Sequence, residues 1–150
     1  MTHTQIAALM VLMLAVPVAA GAYFTAPAKP CFAAGTSAYR VSETDAGNVT
    51  VRIDNAAAHP NLRMQIVDDP AAADFVLVDD GDTGNACQGS VETIRLDSAA
   101  SNPDLTVELS RAVADYKIYV RSARFSAQDA AALFAVMWRK AQLPRTAAAN

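Results

Sequence analysis

The N-terminal segment limits the possible structure and location of the chain more than any other segment does. No charged side chain occurs before Lys29, and Ile6 to Phe24 is an apolar run of 19 residues interrupted only by Pro17. As a helix rising about 1.5 Å per residue, this run spans roughly 28 Å, close to the hydrocarbon thickness of a bilayer. The small domain that follows could not easily bury such a surface. Residues 6–24 therefore predict passage through a membrane or insertion into it.

Two interpretations of this segment remain open. In the first, Leu9–Val16 is the core of a secretory signal that Pro17 ends, and the small residues 18–22 supply the cleavage site. In the second, residues 6–24 remain as a transmembrane anchor with Tyr23 at the interface. The absence of a basic side chain from the leader weakens the interpretation as a cleaved signal, whereas the proline and the small residues favour that interpretation. A buried helix of a cytosolic protein is the third, least favoured interpretation.

Both leading interpretations place the rest of the chain outside the cytoplasm. We expect a signal or anchor over residues 1–30, an extracytoplasmic domain over 31–145 and a disordered tail over 146–150. The two cysteines, Cys31 and Cys87, both follow the apolar segment. In an oxidising compartment such a pair usually forms a disulfide. In the chain-entropy model, closing this loop stabilises the fold by about 4 kcal/mol.

Alternating apolar and polar residues predict a sheet followed by one helix. We expect an α+β fold with a mostly antiparallel sheet of about 5–6 strands, packed by one long C-terminal helix. Two further expectations are a central strand at Phe75–Val78, buried on both faces, and a hairpin joining the last two strands. No internal repeat is evident. The predicted strands lie around residues 39–41, 49–53, 62–66, 75–78, 94–96, 105–109 and 116–121.

The period changes from two to 3.6 after the last strand. Ser126 is a favourable N-cap, and Asp129 three residues later makes an acidic variant of the capping box. The helix predicted from there is almost wholly apolar over Ala130–Trp138, and Pro144 ends it. A helix this apolar must be covered on more than one side.

The search for catalytic motifs finds none. His59 is the only histidine after the opening segment, and it stands beside a proline without a second metal ligand nearby. No nucleophile elbow and no glycine-rich phosphate loop is present, so we expect no catalytic residue and no cofactor. The acidic stretch Asp79, Asp80 and Asp82 follows a strand, as oxygen ligands for a divalent cation do. Its spacing fails the helix–loop–helix calcium pattern, so a solvated turn is the favoured interpretation.

Charge is divided unevenly along the chain. Residues 43–108 hold 13 acidic and 3 basic side chains, whereas residues 111–145 hold 7 basic and 2 acidic ones. One interpretation is that the two parts neutralise each other across the fold. The other is a docking face for an acidic partner, since arginine and aromatic residues are favoured at interfaces. Its residues would be Lys117, Tyr119, Arg121, Arg124, Trp138 and Arg139.

The net charge of −3 disfavours nucleic acid as a ligand. The arginine-rich, alanine-rich composition is typical of a GC-rich bacterium. We therefore expect a non-enzymatic interaction module of the bacterial envelope, in the periplasm or held at the inner membrane, that binds a protein partner as a small subunit of a larger assembly. The alternative is a periplasmic protein that binds a small ligand or a divalent cation through the loop 79–82.

Overall fold

A computed structural model describes residues 31–79, 89–112 and 114–142. In this part of the chain, eight strands form one curled sheet that is covered on one face by a C-terminal helix. The strands are β1 (Phe32–Ala34), β2 (Ser37–Ser42), β3 (Val49–Ile53), β4 (Leu62–Ile66), β5 (Phe75–Val78), β6 (Val91–Leu96), β7 (Leu105–Leu109) and β8 (Tyr116–Arg121); the helix is α1 (Ala127–Gln142), and a 3-10 turn occupies Pro70–Ala72.

The sheet differs from the predicted one in size and direction. Its order is β1-β2-β6-β3-β7-β4-β8-β5, and every pairing except β1 with β2 is parallel. The α+β prediction of a mostly antiparallel sheet with 5–6 strands is therefore wrong. The predicted hairpin between the last two strands is wrong too, because β4 lies between β7 and β8 and pairs with both in parallel.

Short loops can join parallel strands here because the strands are staggered. Ile94 of β6 pairs with Val41 near the end of β2 and also with Val49 at the start of β3. The chain therefore leaves β2 and enters β3 at nearly the same level, and the loop has only to cross β6. A parallel connection between unstaggered strands needs a dozen or more residues, usually as a helix.

Five loops in the described part of the chain pass over an intervening strand in this way. In each case one residue of the intervening strand pairs with the end of one strand and the start of the next. All five central residues are fully buried, which fixes the stagger through the core. They are Ile94, Val51, Val107, Met64 and Ile118.

The loop from β2 to β3 shows why one of these crossings requires glycine. Gly47 lies directly over the backbone of β6, where an added Cβ would stand 2.6 Å from the backbone nitrogen of Arg95 and 3.0 Å from the carbonyl oxygen of Thr93. Contacts this short are repulsive, and backbone atoms cannot move aside as the end of a flexible side chain can. The close passage of the loop therefore depends on the absence of a side chain at position 47.

The helix packs into the concave side of the curled sheet. It contacts β2, β3, β4, β6, β7 and β8. Four of its alanines are fully buried, and such small side chains allow the helix to approach the strands closely. This arrangement explains the nearly continuous apolar sequence of the helix, since the sheet covers more than one of its sides. The buried alanines are Ala130, Ala131, Ala132 and Ala135.

The predicted start of the helix is confirmed. The Asp129 carboxylate accepts hydrogen bonds from the backbone N–H and the hydroxyl of Ser126, at 2.7 and 2.8 Å. The Asp129 N–H donates to the Ser126 hydroxyl oxygen at 3.1 Å. This reciprocal pairing is a capping box with an acidic residue in the third position. It places Asp129 in the interior with 1% of its surface exposed.

Strand β5 is not the central strand that its apolar sequence predicts. Among the described strands it lies at the edge of the sheet and pairs with β8 alone. Leu77 faces the core, but Val76 and Val78 are exposed by 43% and 41% on the opposite face. The prediction of burial on both faces is therefore wrong. A run of four apolar residues does not reveal whether a second strand will cover it.

Among the residues that the structure describes, no helix is long and apolar enough to cross a bilayer. The predicted signal or anchor at residues 6–24, within the expected segment 1–30, lies outside the described residues. So does the expected tail at 146–150.

Candidate functional site

Each of the five crossings ends in a clamp formed by asparagine or aspartate. The residue just before the incoming strand accepts, through its side chain, a backbone N–H of the crossed strand at 2.7–2.9 Å. Its own N–H donates to the carbonyl oxygen of the same residue, also at 2.7–2.9 Å. The five clamps pair Asn48 with Thr93, Asn61 with Thr106, Asp74 with Lys117, Asp104 with Thr50 and Asp115 with Arg63.

These clamps are an internal repeat that the sequence analysis missed. The first three clamp residues, Asn48, Asn61 and Asp74, are spaced 13 residues apart and each precedes a strand. This 13-residue spacing is the feature of the sequence from which the repeat could have been predicted. It is obscured because asparagine and aspartate alternate, and because the second set, Asp104 and Asp115, is spaced by 11 residues.

Other carboxylates also accept hydrogen bonds from backbone N–H groups of the protein. Asp54, Asp69 and Asp97 each accept the N–H of the alanine two residues later, at 2.9–3.0 Å. This is the Asx-turn, in which a short acidic side chain substitutes for a backbone acceptor. The acidic middle of the chain is therefore largely a set of turn and clamp residues. Its negative charge does not indicate a reactive site.

Asp79, the first residue of the predicted cation loop, is engaged by a cation of the protein itself. The Arg124 guanidinium donates to both carboxylate oxygens of Asp79, and the Ser122 hydroxyl donates to one of them at 2.8 Å. These hydrogen bonds, first from Arg124 and then from Ser122, lower the pKa of Asp79 from 3.8 to about 2. A metal ion at this carboxylate would have to displace Arg124.

The remainder of the predicted cation loop, Asp80 and Asp82, lies outside the described residues. Within the described ranges, no group of three or more histidine, cysteine, aspartate or glutamate side chains is arranged to hold a metal ion. His59 lies in an exposed turn between β3 and β4.

Cys31 is buried just before β1, and a guanidinium nitrogen of Arg40 approaches its Sγ at 3.8 Å. Its predicted partner, Cys87, lies outside the described residues. The disulfide therefore stays a prediction.

The structure divides the predicted docking residues between two faces. Lys117, Tyr119 and Arg121 alternate along β8 and project from the convex face of the sheet, because the intervening Ile118 is buried on the concave face. Trp138 and Arg139 belong to α1, which lies on the concave face. The six residues therefore do not form one continuous surface.

Several of the basic residues neutralise acidic residues from the middle of the chain. Arg124 pairs with Asp79, and Lys140 pairs with Glu92. Arg139 lies 3.7 Å from an Asp104 carboxylate oxygen. These contacts support the interpretation that the two oppositely charged parts of the chain compensate each other across the fold. The Glu92 carboxylate also raises the pKa of Lys140.

A distinct exposed surface remains where the sheet ends. We call it the β5–β8 corner, formed by Val76 and Val78 of β5 with Lys117, Tyr119 and Arg121 of β8. Val76 pairs with Tyr119, and Val78 pairs with Arg121, so these side chains share the convex face. Lys117 makes no ion pair with any residue in the described part of the chain. The corner thus combines apolar, aromatic and cationic side chains.

The concave side of the same edge is aromatic. Phe75 and Tyr116 both contact the Phe134 ring, with centroid distances of 5.3 and 5.0 Å. Trp138 donates its indole N–H to the Tyr116 hydroxyl oxygen at 3.1 Å. All four rings are half-buried. Apolar side chains therefore flank the edge of β5 on both faces of the sheet.

A cleft of about 760 Å³ lies at the carboxyl ends of β4 and β7. Its walls include Ile66 and Leu109, with Asp68 and Arg111 at the polar side and no histidine or cysteine. The Asn55 side chain at this cleft is already engaged, because it accepts the Leu109 N–H. The cleft offers no nucleophile paired with a histidine base, and it supports no catalytic assignment.

Comparison with known proteins gives no identity. The chain matches no protein-family model, no curated protein and no solved structure. Its function has to be argued from its own residues.

Proposed function

We propose that this protein is a non-enzymatic interaction module of the bacterial cell envelope and that it binds a protein partner through the β5–β8 corner. The observation that carries the proposal is the exposure of Val76 and Val78 beside Tyr119 and Lys117. Exposed apolar residues contiguous with aromatic and cationic ones are typical of interfaces.

The chemistry of the described acidic residues supports a role without catalysis. Most aspartates in this part of the chain accept backbone N–H groups in clamps or turns, and Asp79 is held by Arg124. A carboxylate whose oxygens already accept backbone N–H groups or a guanidinium is less available to exchange a proton with a substrate.

The location is part of the proposal and rests on the apolar residues 6–24. Either cleavage or retention of this segment places residues 31–145 outside the cytoplasm, in the periplasm or at the inner membrane. There the domain would be a small subunit of a larger assembly. Such a role needs a docking surface more than a pocket.

In-cell photo-crosslinking tests the proposed surface. Benzoylphenylalanine replaces Tyr119 in the full-length chain, expressed in the cells that produce the protein. Thr44, an exposed residue of the β2–β3 loop, is the matched control position. We expect a discrete heterologous adduct at position 119 and none at position 44. Equal labelling at both positions, or no adduct at 119, would contradict the proposal.

A further inference from the structure

The edge of β5 presents backbone groups as well as side chains. The Asp79 N–H donates to the Arg121 carbonyl oxygen of β8 at 3.0 Å. Successive residues of a strand direct their N–H and C=O groups to alternate sides. Val78 and Val76 therefore point their backbone groups away from β8, towards the open edge. This is the arrangement that an additional strand can use.

The sequence of β5 lacks most of the features that block such an addition. Natural edge strands are usually protected by charges, proline, a bulge or very short length, and of these β5 has only its length of four residues. Phe75–Val78 contains no charge and no proline, and its pairing with β8 is regular along all four residues. In the part of the chain that the structure describes, no second strand pairs with this edge.

The two faces beside this edge define the chemistry of the added strand. On the convex face its side chains would lie against Val76 and Val78, and on the concave face against the half-buried Phe75. An extended segment with apolar residues on both faces fits these surroundings. Lys117 on the convex face favours an acidic residue at the end of that segment.

A second copy of this chain fits less well than a different protein. If β5 paired with β5 of another molecule, the convex face would receive only Val76 and Val78 of that copy, which bring no carboxylate to Lys117. The acidic residues at the two ends of β5, Asp74 and Asp79, would also approach those of the copy. The charge pattern therefore selects a heterologous partner.

Resting on the proposed function, we infer that the partner binds by β-strand addition to β5. It contributes an extended segment that is apolar on both faces and carries an acidic residue on the convex side. Its backbone hydrogen bonds to the outward N–H and C=O groups of Val76 and Val78 supply affinity, and the side chains supply specificity.

A proline substitution separates strand addition from side-chain docking. Val76→Pro removes the outward N–H and places a ring in the path of an added strand, while the bonds from β5 to β8 use the alternate residues. Val76→Thr keeps the shape and the N–H and is the matched control. With the photo-reactive residue at 119, we expect Val76→Pro to reduce the adduct about tenfold or more and Val76→Thr to reduce it by less than about threefold.

The outcomes distinguish a failure of the strand-addition inference from a failure of the proposed function. Equal adduct in the proline and threonine variants overturns strand addition but leaves docking at the corner intact. An adduct with the mass of two copies of this chain overturns the heterologous partner. Absence of any adduct in the unsubstituted chain contradicts the proposed function itself.

Folding of the variants is checked by thermal melting. Val78→Pro, which alters the next outward N–H, is the second variant if Val76→Pro does not fold. If neither folds, amide hydrogen exchange replaces them: strand addition predicts slower exchange of the Val76 and Val78 amides in the adduct than in the free chain. Unchanged exchange would overturn the inference.

Discussion

Asp115 exchanges two hydrogen bonds with Arg63, one through its carboxylate and one through its backbone N–H. Asparagine occupies the equivalent place in two of the other clamps, at Asn48 and Asn61. The common requirement is therefore a short side chain with an acceptor oxygen, and the negative charge is secondary. The clamp residues differ in this respect from catalytic carboxylates, which need their charge.

Two substitutions at the same clamp should therefore differ in their effect on stability. Asp115→Ala removes the acceptor and should lower the free energy of unfolding by about 1–2 kcal/mol. Asp115→Asn keeps an acceptor oxygen and should change it by less than about 0.5 kcal/mol. Urea unfolding of both variants provides the comparison. A loss in the asparagine variant as large as in the alanine variant would show that charge, and not the clamp, matters.

Asp79 predicts a pH dependence that can be assigned to one residue. Its pKa falls from 3.8 to about 2 in the folded protein, so its ionised form is favoured by folding. A group with a lowered pKa stabilises the fold above its unfolded pKa and loses that contribution as the pH falls through its folded pKa. The contribution of Asp79 should therefore disappear between about pH 4 and pH 2.

Melting temperatures of the unsubstituted chain and of Asp79→Asn measure this effect. The difference between them should be constant from neutral pH to about pH 5 and should shrink towards pH 2. The other carboxylates titrate in both proteins, so their effect on the melting temperature cancels in the difference. A difference that persists unchanged at pH 2 would mean that the Arg124–Asp79 pair does not stabilise the fold.

At the scale of elements, the loops that cross a strand are the unusual feature. They contain only six or eight residues, and each passes over a strand from the other half of the chain. The loop containing Gly47 passes close to β6, with 2.6 Å between the position of an added Cβ and the Arg95 nitrogen. A methyl group there has to push the loop away from β6.

Gly47→Ala should therefore destabilise the protein by about 1–3 kcal/mol through overpacking. Gly35→Asn is the control, because Gly35 has open space around it and a φ of +60°, which asparagine tolerates. That variant should stay within about 0.5 kcal/mol of the unsubstituted chain. Chemical unfolding compares the two. Equal stability of Gly47→Ala and the unsubstituted chain would contradict the close crossing.

The sequence predicts the elements better than their arrangement. Seven of the eight strands, the capping box and the C-terminal helix follow from alternation, from one continuous apolar run and from capping, which are local properties. The direction of pairing does not, because loops of six residues are typical of antiparallel neighbours. Only the stagger, fixed by buried residues such as Ile94 and Val51 in the middle of the sheet, makes parallel crossings possible.

The candidate site was predictable only in part, for a related reason. Lys117, Tyr119 and Arg121 stand out by their alternation, and the structure places them on one exposed face. The exposure of their neighbours Val76 and Val78 could not be predicted, because a run of apolar residues is compatible with an edge strand as well as with a central one. Trp138 was grouped with them by composition, although it belongs to the other face.

At the scale of the whole molecule, we propose an exported chain whose folded domain docks onto a partner. In this proposal the apolar segment 6–24 directs export, the eight-stranded sheet is the scaffold, and the β5–β8 corner is the docking surface. The proposed export is consistent with the predicted disulfide between Cys31 and Cys87, because such bonds persist in oxidising compartments and are rare in the cytosol.

The intact mass of the mature protein tests the exported state most directly. The protein is purified from its native cells and alkylated either before or after reduction. We predict no alkylation of Cys31 or Cys87 before reduction and alkylation of both after it, on a chain that has either lost its leader or been extracted from membranes with the leader intact. A full-length, water-extracted chain with both thiols alkylated before reduction would contradict the account.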